Sequence, residues 1–253
     1  MMQNNLFNSV LEINKATAND LFVMYNSSKE FNSAISLPRF IFPEYRDKGN
    51  YETKLRISEQ EARMLYCFNL NDNKYKYWYS IETPTSQLYN FTKKDNKGDK
   101  GESNKEGRSA LSDLSIYDLS SDNKDNKLVK AVNVEFKAHN PGQKSYDKDI
   151  EKLIAEKVCG NWFHLLKNAD NGTIKSLNSK FSIALNKVIS EKDSNENNKN
   201  KDLWILFFIV ILEGSVIKHK QLNFSRLDDK SYIEKLFHEK EDDWETQNIT
   251  KFI

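Results

Sequence analysis

The chain has few of the features that mark disulfide-rich, zinc-binding, secreted or membrane-spanning proteins. Only Cys67 and Cys159 occur among its 253 residues, which excludes a disulfide framework or a zinc knuckle and favours a reducing cytosol. The opening residues lack the basic start and continuous apolar segment of a secretory signal. The longest apolar run, residues 203–212, is about half the length of a membrane-spanning helix. We therefore expect a cytoplasmic protein without a membrane partner.

Net charge is also small. Lys and Arg number 38 and Asp and Glu number 37, which leaves +1. The whole-chain charge therefore neither favours nor excludes a nucleic-acid partner, and any basic footprint has to be local.

Apolar patterning predicts one α/β domain with an extension at each end. Residues 1–57 are assigned to an N-terminal extension packed on the core, with a helix near 8–25. Residues 58–218 are assigned to the core and 219–253 to a charged, helical C-terminal tail.

Within the core, alternation and helical spacing predict seven elements. They are a helix at 58–70, strands at 74–82, 109–118 and 128–138, helices at 147–168 and 172–189, and a strand at 203–212. The last strand is rich in aromatic and β-branched residues, as in strands buried on both faces. We expect a mixed central sheet flanked by helices.

Strand 128–138, "LVKAVNVEFKA", has one apolar and one polar face. Side chains alternate along a strand, so Asn133, Glu135 and Lys137 share the face opposite the apolar residues. Acid-x-Lys spacing is weak evidence alone, because roughly five such triplets are expected by chance in this composition. The apolar setting distinguishes Glu135 and Lys137 from triplets in polar segments.

Asp113, on the preceding strand, is expected to lie near this polar face. If 109–118 and 128–138 pair as an antiparallel hairpin, Asp113 lies opposite residues 133–135, about 5 to 8 Å away. Two carboxylates at that distance suit Mg²⁺, which takes one or two acid ligands, several waters and substrate phosphate. A lysine beside them orients the attacking water or neutralises developing charge. This chemistry is phosphodiester hydrolysis.

Asp113 in "SALSDLSIYD", followed 22 residues later by "VEFKA", resembles the core motif of the PD-(D/E)XK nuclease superfamily. The predicted order helix–strand–strand–strand–helix–strand is similar to its restriction-endonuclease-like core. The resemblance implies Asp113 and Glu135 as metal ligands, Lys137 as the catalytic lysine, and Mg²⁺ as cofactor, with Mn²⁺ as an alternative. It differs at Ser112, where the superfamily's name has proline.

Many superfamily members add a helix glutamate, and Glu61 or Glu59 in "SEQEAR" is similar in placement. The simpler interpretation of Glu61 is a capping residue three positions after Ser58. His139, Gln143 and Lys144 could contact phosphate, but each also suits an ordinary loop after a strand.

Further interpretations stay open for other segments. Asn133 could orient water or simply face solvent, and Trp162 and Phe163 fit a helix core. The loop 93–108 has a local charge of +2, which fits either a clamp on nucleic acid or a plain solvated loop.

Two functions follow from these alternatives. The first is a metal-dependent nuclease whose partner is nucleic acid, DNA favoured over RNA, in restriction, repair or defence. The second is a catalytically silent nuclease-like scaffold that binds nucleic acid or a protein. A homodimer or an accessory protein is left open as a further partner. The simplest alternative to both is that Asp113, Glu135 and Lys137 lie on the wet face of an antiparallel hairpin.

Overall fold

The computed structural model describes residues 2–27, 40–46, 49, 53–72, 74–89, 108–119, 127–191, 202–227, 229–238 and 243–249. Five α-helices lie in these ranges: α1 Met2–Ser27, α2 Glu59–Leu70, α3 Gln143–Ala155, α4 Asn171–Glu191 and α5 Lys230–Leu236. The strands are β1 Glu44–Arg46, β2 Thr53–Leu55, β3 Trp78–Tyr89, β4 Arg108–Leu119, β5 Leu128–Ala138, β6 Cys159–Leu166, β7 Trp204–Ile211, β8 Val216–Asn223 and β9 Glu245–Asn248.

A mixed seven-stranded sheet forms the centre of the molecule, in the order β3-β4-β5-β6-β7-β8-β9. Strands β5, β6 and β7 pair in parallel, and the pairs on either side of them are antiparallel. The expected α/β class with a mixed central sheet is confirmed. β1 and β2 form a separate two-stranded sheet.

Helices cover both faces of this sheet. α1 and α2 pack on one face, where Phe22, Tyr66, Phe136 and Phe163 belong to one apolar cluster. α3, α4 and α5 pack on the other face, in a second cluster that includes Trp162 and Phe181. Coverage on both faces explains why every residue of β7 is buried, as predicted for residues 203–212.

The prediction of one helix over 147–168 is wrong beyond Ala155. The chain leaves α3 through Lys157, whose φ of 55° is left-handed, and continues as β6. β6 is apolar on both faces, with Trp162 in one cluster and Phe163 in the other. A short run that is apolar on both faces fits the spacing of a helix as well as that of a buried strand, so the sequence pattern alone did not separate the two.

Gly160 lets α3 lie close to β6. A Cβ atom there would be 3.1 Å from Ile205 Cγ1 and 3.3 Å from Leu153 Cδ2. The missing side chain leaves room for Leu153, which lies one turn after residue 149 and directly follows residue 152 on α3. Close packing of α3 on the sheet places the polar side chains of this helix directly over β5.

Other boundaries differ from expectation at the sheet edges. The strand predicted at 74–82 runs through Pro84 to Tyr89, which an edge strand tolerates because its outer N–H groups need no partner. The tail contains α5, but β8 crosses residues 218 and 219 and β9 adds another strand. The tail is therefore helical only in part. Most of the 93–108 loop lies outside the described residues.

Candidate functional site

The β4–β5 hairpin brings Asp113 beside Glu135. Leu114 is paired with Val134 and Ser115 with Asn133, so the next position in register sets residue 113 against residue 135. Asp113 Oδ2 accepts a hydrogen bond of 2.8 Å from the Phe136 backbone N–H. The antiparallel pairing predicted from the sequence is confirmed, and it fixes the Asp113 carboxylate at the polar face of β5.

Lys137 lies on the same face of β5, two residues beyond Glu135. Its Nζ is 2.8 Å from Asp149 Oδ2 and donates to the Phe136 carbonyl oxygen at 2.9 Å. The ammonium also lies 5.8 Å from the centre of the Trp162 ring. The lysine is therefore held in one place by groups from β5, β6 and α3.

The α3 helix contributes two charged residues that the sequence interpretation did not single out, Asp149 and Lys152. Lys152 Nζ lies 2.8 Å from Glu135 Oε1 and 2.9 Å from Asp149 Oδ1. It also donates to the Leu111 carbonyl oxygen at 2.9 Å. We call Asp113, Glu135, Lys137, Asp149 and Lys152 the carboxylate–lysine cluster.

The sequence around Asp149 and Lys152 contains a pattern that indicates buried charged residues. Asp149 and Lys152 are three residues apart, interleaved with the buried apolar positions Tyr146, Ile150 and Leu153. Charged side chains inside an apolar stripe need partners when they are buried. The sequence gives no hint of which strand supplies those partners, because that depends on how α3 crosses the sheet.

Glu135 is wholly buried, with an exposed fraction of 0%. Burial raises the pKa of this carboxyl well above its usual range; Lys152 opposes the rise, and Asp149 and Asp113 add to it. Although Lys152 lies 2.8 Å from Oε1, neither oxygen has a well-directed hydrogen bond from any described residue, and Oε2 has no cation beside it either. An unpaired carboxylate oxygen in the interior is costly, so this oxygen is a candidate ligand for a cation.

Asp149 is ionised more readily than an ordinary aspartate. Burial alone would raise its pKa, but the ammonium groups of Lys137 and Lys152 outweigh burial and lower it. Burial would likewise lower the pKa of Lys137, and the Asp149 carboxylate reverses the direction and raises it. The two α3 residues therefore help to keep the buried site charged.

The two glutamates predicted near the site on α2 have different surroundings. Glu61 is buried, accepts a hydrogen bond from Ser58 Oγ, and pairs with Arg56 at 3.2 Å. Burial raises the pKa of Glu59, whose carboxylate is also subject to the charges of Lys137, Asp113 and Asp149. The structure thus brings Glu59 within electrostatic range of the cluster, while the Glu61 side chain is held by Ser58 and Arg56.

The remaining candidates border the site or lie away from it. Asn133 is buried on the β5 polar face and accepts a 2.7 Å hydrogen bond from Ser115 Oγ. His139 is exposed, and Gln143 donates through its side chain to Asp147 and to the Lys180 carbonyl. Lys144 is exposed at the start of α3.

The cluster suits one divalent cation that keeps some of its own waters. In the described ranges, no three Asp, Glu, His or Cys side chains converge to hold a metal unaided. Mg²⁺ does not need three, because one or two carboxylates plus water and phosphate oxygens complete its shell. With all groups ionised, the four carboxylates of Glu59, Asp113, Glu135 and Asp149 against two ammonium groups leave a charge of −2. Together with the unpartnered Glu135 Oε2, this charge fits a divalent ion.

In comparisons with known proteins, no family model, curated protein or solved structure matches the chain. No helix among the described residues is long and apolar enough to cross a membrane.

Proposed function

We propose that the chain is a Mg²⁺-dependent nuclease that hydrolyses phosphodiester bonds, with DNA favoured over RNA and Mn²⁺ as an alternative metal. The observation that carries the proposal is the buried Glu135 carboxylate. It has an unpartnered oxygen and lies beside Asp113 and an ordered Lys137. A purely structural ion pair has no need of an oxygen left over.

Each residue has a defined part in the proposed reaction. Asp113 and Glu135 would hold the ion, which when bound lowers the pKa of water and neutralises charge on phosphate oxygens. The Lys137 ammonium donates to the Phe136 carbonyl and lies 2.8 Å from Asp149 Oδ2. It makes no further hydrogen bond or ion pair with the described residues, and we assign its remaining N–H to the attacking water or to a phosphate oxygen.

The arrangement of elements supports the same proposal. α2, β3, β4, β5, α3 and β6 follow one another in the order that the PD-(D/E)XK resemblance implies. β5 is antiparallel to β4 and parallel to β6, with α3 as the crossover. A motif strand between an antiparallel and a parallel neighbour is compatible with the proposed restriction-endonuclease-like core.

A catalytically silent scaffold remains the second candidate, and one observation favours it. Lys152 already provides Glu135 with a positive partner at 2.8 Å, as an internal cation would in a protein that has no need of a metal. Net charge of +1 also provides little general attraction for nucleic acid.

Cleavage assays separate these two candidates. Plasmid, single-stranded DNA and RNA are incubated with metal-depleted protein, then with Mg²⁺ or Mn²⁺. We expect metal-dependent cutting that Lys137→Ala lowers by about 10²- to 10³-fold, since it removes one preorganised charge from the site. Asp113→Asn, which keeps an acceptor for the Phe136 N–H but loses the charge, should lower it similarly.

The matched control is Lys175→Ala, which removes an exposed lysine of α4 and should leave the rate unchanged. Cutting that survives Lys137→Ala would rule out this site. Folded protein that binds nucleic acid but never cuts it would favour the scaffold.

A further inference from the structure

The oxygen atoms around the Lys152 and Lys137 ammonium groups distinguish the roles of the two lysines. An ammonium carries three N–H bonds. Lys152 has three oxygen neighbours within 2.9 Å, from Glu135, Asp149 and the Leu111 carbonyl. These three oxygens surround the Lys152 ammonium, and we take this lysine as a partner of Glu135 and Asp149 rather than of a substrate.

Lys137 differs from Lys152 in one respect. Its ammonium contacts two oxygens, Asp149 Oδ2 and the Phe136 carbonyl, and makes no further hydrogen bond or ion pair with the described residues. The Phe136 carbonyl belongs to its own strand, so Asp149 is the partner from another element that selects the direction of the lysine. Asp149 in turn is held by Lys152 through its other oxygen, Oδ1.

We propose that Asp149 is a positioning residue, which aims the third N–H of Lys137 into the site while Lys152 fixes both Asp149 and Glu135. This inference rests on the proposed nuclease function and adds an α3 component to a site otherwise formed by β4 and β5. Neither α3 residue acts as a metal ligand in this arrangement.

The test uses Asp149→Asn in the full chain, with Asp147→Asn as matched control. Asp147 lies on the same helix and also has a lysine partner, Lys187 at 3.5 Å, but is outside the cluster. In protein labelled with ¹⁵N at lysine, we expect a slowly exchanging ammonium signal from Lys137, assigned by its loss in Lys137→Met. Asp149→Asn should abolish that signal, and Asp147→Asn should keep it.

Kinetics provide the second readout. We expect Asp149→Asn to lower kcat by about 10²-fold, the scale of a misplaced catalytic group. KM and the Mn²⁺ dissociation constant, measured by calorimetry, should stay within about threefold, since Asp149 touches neither metal nor substrate. Asp147→Asn should leave all three unchanged.

Several results would overturn the proposal. The first is a Lys137 signal that is absent from the wild type or retained in Asp149→Asn. The second is a wild-type kcat in Asp149→Asn. The third is loss of Mn²⁺ binding in that variant, because it would make Asp149 a metal ligand. Should Asp149→Asn not fold, Asp149→Glu keeps the charge and displaces it by one methylene, with the same kcat loss expected. Wild-type protein that cuts nothing would reject the nuclease function, and the Lys137 signal would then decide the positioning role by itself.

Discussion

At the residue scale, the buried carboxyl group of Glu135 lowers the stability of the folded protein once it is ionised. Its folded-state pKa is raised above the unfolded value, so the folded protein retains a proton that the unfolded chain releases. Stability from this group is full at pH values below the ordinary carboxyl range. It is lost as pH rises through the raised folded pKa. Residues that violate packing rules in this way are expected at functional sites.

Glu135→Gln should therefore stabilise the metal-free protein at pH 8 by about 1 to 3 kcal/mol, the cost of an unsatisfied buried group. At pH 5 the difference should shrink, because wild-type Glu135 is then protonated. Chemical denaturation with a chelator present measures both values, with exposed Glu12→Gln as control. Mg²⁺ should raise the stability of the wild type more than that of Glu135→Gln. A loss of stability in Glu135→Gln at pH 8 would contradict this account.

Sequence patterning could predict the strand-borne part of the cluster and not the helix-borne part. Asp113, Glu135 and Lys137 follow from two-residue alternation and one hairpin, both local properties. Asp149 and Lys152 meet Glu135 only because α3 crosses β5 closely, which depends on Gly160 and the packing of Leu153. Glu59 illustrates the same limit, because a capping pattern does not determine which glutamate of the first turn comes within electrostatic range of the cluster.

At the element scale, β6 carries an imidazole that has to remain neutral. His164 is fully buried; its Nε2 lies 2.5 Å from the His139 carbonyl oxygen and its Nδ1 3.4 Å from Trp162 Nε1. Burial lowers the pKa of His164 to about 4. One ring nitrogen therefore donates and the other accepts, which ties the end of β5 to β6.

The folded-state pKa of His164 lies below its unfolded value, so the unfolded chain binds the proton first as pH falls. We expect stability to decline between about pH 6.5 and pH 4, by about 2 to 3 kcal/mol from this residue. Denaturation curves measured across that range for the wild type and His164→Gln check this, and the variant should decline less. His238→Gln, at an exposed position, serves as control. Parallel curves for wild type and His164→Gln would reject the assignment.

β6 also shows why a strand buried on both faces was predicted as part of a helix. Residues 147–168 have apolar residues at helical spacing throughout, yet Asn161, Trp162, Phe163 and His164 alternate between the two faces of the sheet. α1, α2 and α4 were predictable because each has a solvent side and hence a clear stripe. A strand buried on both faces lacks that contrast.

At the scale of the whole molecule, Phe181 on α4 connects the elements of one core. Its ring packs against Tyr146 of α3, Trp162 of β6 and Phe207 of β7. It also contacts Phe237, just beyond α5. We expect Phe181→Ala to lower the free energy of unfolding by about 3 to 5 kcal/mol, the usual loss for a buried phenylalanine.

The matched control for Phe181→Ala is Phe68→Ala, because Phe68 is a helix phenylalanine with 54% of its surface exposed. We expect a change within about 0.5 kcal/mol there. Urea denaturation of both variants beside the wild type measures the difference, and equal losses would show that Phe181 does not hold α4 to the sheet.

The parallel centre of the sheet has a consequence for the order in which the protein folds during synthesis. β4 and β5 are antiparallel neighbours and can pair soon after they leave the ribosome. β6 and β7 pair in parallel, so each waits for a crossover helix to be made before it can join. Asp113, Glu135 and Lys137 thus meet early on a wet hairpin, and Glu135 loses its water only when α3 closes over β5 and β6. Burial of the nascent chain's charged cluster therefore follows formation of the hairpin, and chains that stop short of β6 should expose it.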